Sequence, residues 1–274
     1  MNILIVGHVC IDENVSEKIS YNSWGSPLMY MSKYLNTQPN CNVTLLAPYG
    51  RDFLTYLTDE NIANKPKADP TLLYRNESTG VYRKQSAKNS EFAKPVRITG
   101  EISNIISKAD ILIFAPLLPN YSSRYVQKLF NYAPSDCITV LSPQGYFRKV
   151  NLDNSVSYQS FTEATRIVSL FNIVITSNED LPNAKNELTH WSEASSNTNI
   201  IMTEGEEGAS IIKGGKLTRV PTVPIPKQKV VDSVGCGDVF TAATALDFYR
   251  TRNIISAVQA GNKAAGKRLL TKIV

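Results

Sequence analysis

The chain has 274 residues, 42% of them hydrophobic and 19% charged, with 14 glycines and 14 prolines. That composition excludes a disordered tail, a collagen-like chain and a coiled coil, and the length allows one or two domains at roughly 150 residues each. The 29 basic against 24 acidic residues leave +5, scattered rather than gathered into the stripe of a nucleic-acid binder.

The N-terminus, Met1-Asn2-Ile3-Leu4-Ile5-Val6-Gly7, has no basic n-region and no small-residue cleavage site. Its apolar run, 3–6, predicts a first strand. Residues 12–24 are polar and irregular. The apolar spacing predicts a helix over 28–35, and 43–47 predicts a second strand closing on Tyr49-Gly50. Residues 72–88 predict a hairpin turning near Thr79-Gly80. A helix over 101–106, a strand over 111–114 stopped by Pro116, and a helix over 125–132 come next. A strand over 138–141 ends at Ser142-Pro143, and a helix over 162–170 precedes strands at 173–175 and 200–202. Short Ile-, Val- and Leu-rich runs nearly free of charge suit parallel strands covered on both faces. Their alternation with amphipathic helices predicts a doubly wound α/β sheet. Residues 12–24 and 72–88 stand outside it, as surface excursions or as a flap over a ligand pocket.

The four cysteines, Cys10, Cys41, Cys137 and Cys236, contain no C-x-x-C pair, so neither a zinc site nor a thioredoxin-like motif is expected. No apolar run approaches the ~20 residues of a membrane span, and a reducing cytoplasm is the expected compartment. Lys263, Lys267, Arg268 and Lys272 form the densest basic cluster. At helical spacing they read as a solvated helix face, with an anionic small molecule as the alternative partner.

The passage richest in chemistry is Val230-Val231-Asp232-Ser233-Val234-Gly235-Cys236-Gly237-Asp238-Val239-Phe240-Thr241-Ala242-Ala243. A strand end meets a Gly-x-Gly turn, then a helix rich in small residues. Such a helix start can turn free amides towards an anion, and Asp238 can serve there as a functional carboxylate or only as a cap.

This passage resembles the D-T-x-G-A-G-D motif of the ribokinase-like (PfkB) carbohydrate and nucleoside kinases, with Ser233 for Thr and Cys236 for Ala. The resemblance implies a three-layer α/β/α sandwich with a mostly parallel sheet. It further implies one kinase domain over 1–274, with a small β lid from about 12–24 and 72–88. Asp238 would be the base that takes the acceptor proton, and Gly235, Cys236 and Gly237 the anion hole. Asp12, ending the first-strand region, would bind substrate hydroxyls with Gly25 and Ser26. There the family's Gly-Gly pair reads Trp24-Gly25, and Met29 stands where an Asn aligns. Arg83 in the lid and Gln144 resemble substrate contacts of the inositol and nucleoside kinase branch. Thr203, Gly205 and Gly208 are similar to the T-x-G-x-x-G turn beside the nucleotide, although the same residues also read as a plain hairpin. Asp232 and Asn262 complete that nucleotide set. Asn178 and Glu179 resemble the start of N-x-x-E, which organises magnesium through water, but the fourth position is Leu181. An acidic helix N-terminus is the alternative there.

The resemblance thus implies ATP, Mg2+, room for a monovalent cation such as K+, and a sugar, polyol or nucleoside substrate. It leaves open a homodimer through the lid. A catalytically weak or inactive binding relative is the alternative, since the Gly-Gly and N-x-x-E elements are altered. A dinucleotide-dependent oxidoreductase lacks its G-x-G-x-x-G after the first strand. His8, inside that strand, is expected to be packed and hydrogen-bonded.

Overall fold

The computed structural model describes residues 1–16, 20–79 and 82–271, and only the backbone of residues 16, 78, 79, 82 and 83. In chain order the elements are β1 (Asn2–Gly7), β2 (Cys10–Ser16), β3 (Ser20–Gly25), α1 (Pro27–Asn36), β4 (Asn42–Leu46), β5 (Leu73–Thr79) and β6 (Tyr82–Lys88). Then come α2 (Gly100–Ile106), β7 (Ile111–Ala115), α3 (Ser123–Phe130), β8 (Ile138–Leu141), β9 (Arg148–Val150), β10 (Val156–Tyr158) and α4 (Ala164–Val168). The last third holds β11 (Ile173–Ser177), α5 (Ala184–Ala194), β12 (Asn199–Thr203), β13 (Ala209–Lys213), β14 (Lys216–Val220), α6 (Cys236–Thr251) and α7 (Ile254–Leu269).

An eight-stranded sheet runs β14-β13-β12-β11-β8-β7-β1-β4. The six apolar runs of the sequence are its six parallel strands, and β13 and β14 add an antiparallel edge. Alternate residues of each parallel strand enter opposite cores, which is why the runs are unbroken. On one face Ile3 and Ile5 pack with Met31 and Leu35 of α1, Phe240 and Leu246 of α6, and Val258 of α7. On the other, Leu4 and Val6 pack with Ile102, Val126, Ile167 and Leu188 of the helices α2 to α5. The result is the expected three-layer ribokinase-like sandwich. Helix α3 starts two residues earlier than its apolar spacing suggests, because the Ser122 hydroxyl caps it by accepting from the Tyr125 amide.

The two stretches that broke the alternation form a separate four-stranded sheet, β3-β2-β5-β6. Strands β2 and β5 pair in parallel, and the other pairs are antiparallel. The hairpin pairs Leu73 with Lys88 through to Thr79 with Tyr82. Gly80, where the turn was expected, lies outside the described residues. This sheet sits on its own small core of Cys10, Leu72, Tyr74, Ala87, Leu117 and Leu118. His8 ties β1 to that region: its Nδ1 accepts from the Leu117 amide at 3.0 Å and its Nε2 donates to the Ala93 carbonyl at 3.0 Å. Burial lowers its pKa to about 4, so the ring is neutral.

Candidate active site

The C-terminal ends of the parallel strands open into a cleft of about 710 Å3 beside the small sheet, where ligands of open α/β sheets bind. Residues 233–238 line it. The Asp232 carboxylate accepts from the Val234 amide at 2.9 Å and so folds the chain back on itself. Gly235 then takes φ 78°, and a Cβ there would lie 2.3 Å from the Tyr30 ring, so both backbone and packing require glycine. Helix α6 begins at once. A Cβ on Gly237 would meet no protein atom within 4 Å, which leaves the approach to its amide open. Asp238 is half-buried in the first turn of α6. Burial pushes its carboxyl up to about 7, with Arg148 pulling it down and Asp180 pushing it up.

On one side of Asp238 the cleft is polar. Asp12 on β2 accepts from the Cys10 thiol at 3.3 Å. Gly25 on β3 lies so close that a Cβ would fall 2.3 Å from the Asp12 carboxylate; Gly25 makes room for Asp12 rather than lining the cleft. Ser26 has φ 104°, a conformation that costs a non-glycine residue of order 1–3 kcal/mol and marks sites where strain serves function. The buried hydroxyls of Ser26 and Tyr74 face this side without a hydrogen-bond partner among the described residues. Gln85 donates to Asn76 at 2.9 Å, and Gln144 to Asp180 at 3.4 Å. The Arg148 guanidinium stands 5.5 Å from the centre of the Tyr74 ring. The side chain of Arg83 lies outside the described residues.

The rest of the cleft is richer in glycine and apolar residues, with Glu206 and Lys227 among its charged side chains. Thr203, Gly205 and Gly208 line it, and Gly208 turns with φ 99°. Pro224, Ile225, Ala265 and Leu269 form its apolar wall. Asn262 lines it as well, but donates its amide to the Val220 carbonyl at 3.1 Å and so pins β14 to α7.

Several expected site residues are placed differently. Asp232 is absent from the cleft lining and grips Arg268 at 2.6 Å. Arg268 is thereby corrected as well: it is 5% exposed, not part of a solvated face, because it pairs with Asp232 across the helix end. Lys263 and Lys267 are exposed as expected, and Lys272 lies outside the described residues. Asn178 is exposed and does not line the cleft, whereas Glu179 and Asp180 do. Asp180 already accepts from the Thr176 hydroxyl and the Ser177 amide, each at 2.9 Å. Among the described residues no three His, Cys, Asp or Glu side chains converge as a protein-only metal site. Magnesium, however, is usually held by one or two carboxylates together with substrate phosphates and waters, and Glu179 beside Asp180 is a donor set of that kind. Met29 is fully buried in the core, so the position aligned with the family's Asn cannot reach a substrate. Trp24 packs edge-on against Tyr30 at 5.0 Å.

Tyr30 was not expected in the cleft, and Arg148 and Asn76 were not singled out, although Arg148 follows closely on Gln144 and Asn76 lies in the hairpin expected over 72–88. The Tyr30 phenol is held well above its usual range, first by burial and then by the negative charges of Asp12, Asp238 and Asp232.

The sequence profile of the pfkB family carbohydrate kinases matches residues 41–272. Adenosine kinases 2 and 1 of Arabidopsis thaliana are each 31% identical over 61 residues, which is 22% of this chain and 18% of theirs. The chain thus matches less than a fifth of the length of these curated relatives. A pyrophosphate-dependent kinase in the ribokinase family, solved with a pyrophosphate analog and myo-inositol, superposes with TM-score 0.75 at 14% identity, covering 97% of this chain and 94% of that one. The ribokinase of Giardia lamblia gives 0.74 at 14% identity, covering 99% and 94%. The adenosine kinase of Sinorhizobium meliloti gives 0.72 at 13%, covering 100% and 96%. At these identities the likeness establishes the fold.

Proposed function

The chain belongs to the pfkB family of carbohydrate kinases, and on that premise we propose that it moves the γ-phosphoryl group of ATP to a hydroxyl of a small sugar or polyol. Asp238 is the base, and the amides of Gly235, Cys236 and Gly237 are the anion hole. The carrying observation is that this turn, at the start of α6, lines one cleft together with the polar Asp12, Gln144 and Arg148 and with Gly205, Gly208 and the apolar Pro224 and Ile225.

The polar side is the acceptor site. Asp12, the two orphaned hydroxyls of Ser26 and Tyr74, Gln144 and Arg148 suit a molecule rich in hydroxyls, and a polyol fits them better than the apolar face of a nucleobase. The opposite wall of Pro224, Ile225, Ala265 and Leu269 suits the base of the donor nucleotide. Phosphoryl transfer passes through a loose transition state, so positioning and charge stabilisation matter more than base strength. Amides aimed at the transferring group supply that stabilisation without reorganisation. A carboxyl raised to about 7 is a stronger proton acceptor than an ordinary aspartate; it is half ionised at neutral pH and largely ionised about one pH unit above it. Magnesium, when bound with the donor, neutralises phosphate charge; Glu179 and Asp180 are the carboxylates that would hold it.

The test is donor consumption measured against a panel of polyols, sugars and nucleosides, myo-inositol and adenosine among them, with ATP and pyrophosphate compared as donors. A phosphate ester formed from ATP and a polyol or sugar is the expected product. Turnover with nucleosides alone overturns the acceptor reading, and turnover with pyrophosphate alone overturns the donor reading. No turnover with any pair, with Asp238→Asn binding ATP analogues as the wild type does, overturns the kinase reading.

A further inference from the structure

Arg268 is a buried charge that the transfer chemistry above does not use. It sits in the last turn of α7, 5% exposed, while Lys263 and Lys267 on the same helix reach solvent. Its Nη2 lies 2.6 Å from Asp232 Oδ2. Its Nη1 donates to the main-chain carbonyls of Asp232, at 3.5 Å, and of Thr271. A carboxylate and two carbonyls are thus drawn to one point, a set of hard oxygen donors that suits a cation, and the guanidinium occupies it. The other Asp232 oxygen accepts from the Val234 amide, so the charge is one hydrogen bond away from the turn that presents Gly235 and Gly237. Its field reaches that turn: burial takes the Cys236 thiol up to about 11, and Arg268 draws it back. The monovalent cation allowed by the sequence resemblance does not fit behind this turn, because its oxygen ligands are already taken.

We propose that Arg268 is a tethered internal cation that positions the 232–238 turn for phosphoryl transfer, so that the reaction needs no added monovalent cation. This rests on the role proposed above for that turn. Arg268 touches neither substrate nor donor and acts through Asp232; it is a positioning residue.

The first experiment uses the wild-type chain. Replacing K+ and Na+ with tetramethylammonium at constant ionic strength should change kcat less than about twofold and leave Tm unmoved. In Arg268→Ala, kcat should fall about 100-fold, the scale of a misplaced catalytic group, with both KM values within about threefold of wild type. Guanidinium ion at about 10 mM should recover much of that loss and raise the variant's Tm, while tetramethylammonium does neither. Arg268→Lys should lie between the two. If Arg268→Ala does not fold, Asp232→Asn combined with Arg268→Met removes both charges together, and it should fold and turn over slowly. Stimulation of the wild type by K+ of severalfold or more overturns the proposal, as does wild-type kcat in Arg268→Ala or in the double variant. The Tm measurements stand without turnover. No turnover of the wild type with any donor and acceptor would overturn the kinase reading alone, leaving the thermal rescue by guanidinium to decide the role of Arg268.

Discussion

The two sides of the cleft are made of different material. The side proposed for the acceptor is assembled from side chains on β2, β5, β6, the start of α1 and the segment at 144–148, and it carries orphaned hydroxyls and a strained Ser26. The side proposed for the donor combines glycines and an apolar wall with a few polar side chains, Glu206 and Lys227 among them, and the turn adds main-chain amides. On the proposed function, backbone would bind what every donor shares, namely phosphate, and side chains what distinguishes one acceptor from another. A motif therefore reports the first and is nearly silent on the second.

The largest expected effect is at the joint between the sides. Asp238→Asn should lower kcat by about 10²–10⁴-fold while titration of an ATP analogue shows unchanged binding; a kcat within tenfold of wild type breaks the assignment of the base. The same variant separates chemistry from stability. The folded carboxyl titrates near 7, above the ordinary value of 3.8, so the native state binds the extra proton between those values. Its contribution to stability is therefore present below about pH 4 and is lost as the pH rises through 7. Asp238→Asn should thus match the wild-type Tm near pH 4 and exceed it at pH 8, as a pH series of thermal melts would show.

The two glycines of the turn should part company next. Gly235→Ala meets both φ 78° and the Tyr30 ring, and strain of order 1–3 kcal/mol should lower Tm by several degrees as well as kcat. Gly237→Ala enters open space and should keep Tm while losing kcat. Full activity in Gly237→Ala would remove that amide from the anion hole.

A smaller effect sharpens the acceptor side. Arg148→Gln should raise the acceptor KM about tenfold and leave the ATP KM unchanged. Because Arg148 pulls the Asp238 carboxyl down, its loss should also move the rising limb of kcat/KM upward from its expected position near pH 7. A limb that stays in place would separate Arg148 from Asp238. The smallest effect is at Ser26. Ser26→Gly relieves φ 104°, and relief of about 1 kcal/mol raises Tm by roughly 2–4 °C at this chain length. The acceptor KM should rise severalfold with the lost hydroxyl, and steady-state kinetics beside a thermal melt would read both.

Much of the main sheet was legible because its strands are short, apolar and buried on two faces, as 3–6 and 111–114 show. In the small sheet the β5–β6 hairpin was legible, but the strands β2 and β3 were not, because they are half-exposed and mix polar residues on both sides, which erases a two-residue period. The 232–238 passage was legible because its turn geometry is local, set by consecutive φ values and amides. Arg148, Tyr30 and Asn76 come from separate stretches of chain and meet only in the cleft. Asp232 and Arg268 show the same limit: helical spacing placed Arg268 on a charged face, and only the partner 36 residues away explains its burial.

By itself, then, the sequence determined what neighbouring residues decide: the alternation of strand and helix, the Gly-x-Gly turn with Asp238 after it, and the family those residues resemble. The tertiary structure alone decided which side chains meet in the cleft, that Asp232 turns from the cleft to Arg268, and that Asp238 is raised towards neutrality. These depend on burial and on charges distant in the chain, and both arise only when the sheet brings its strand ends together.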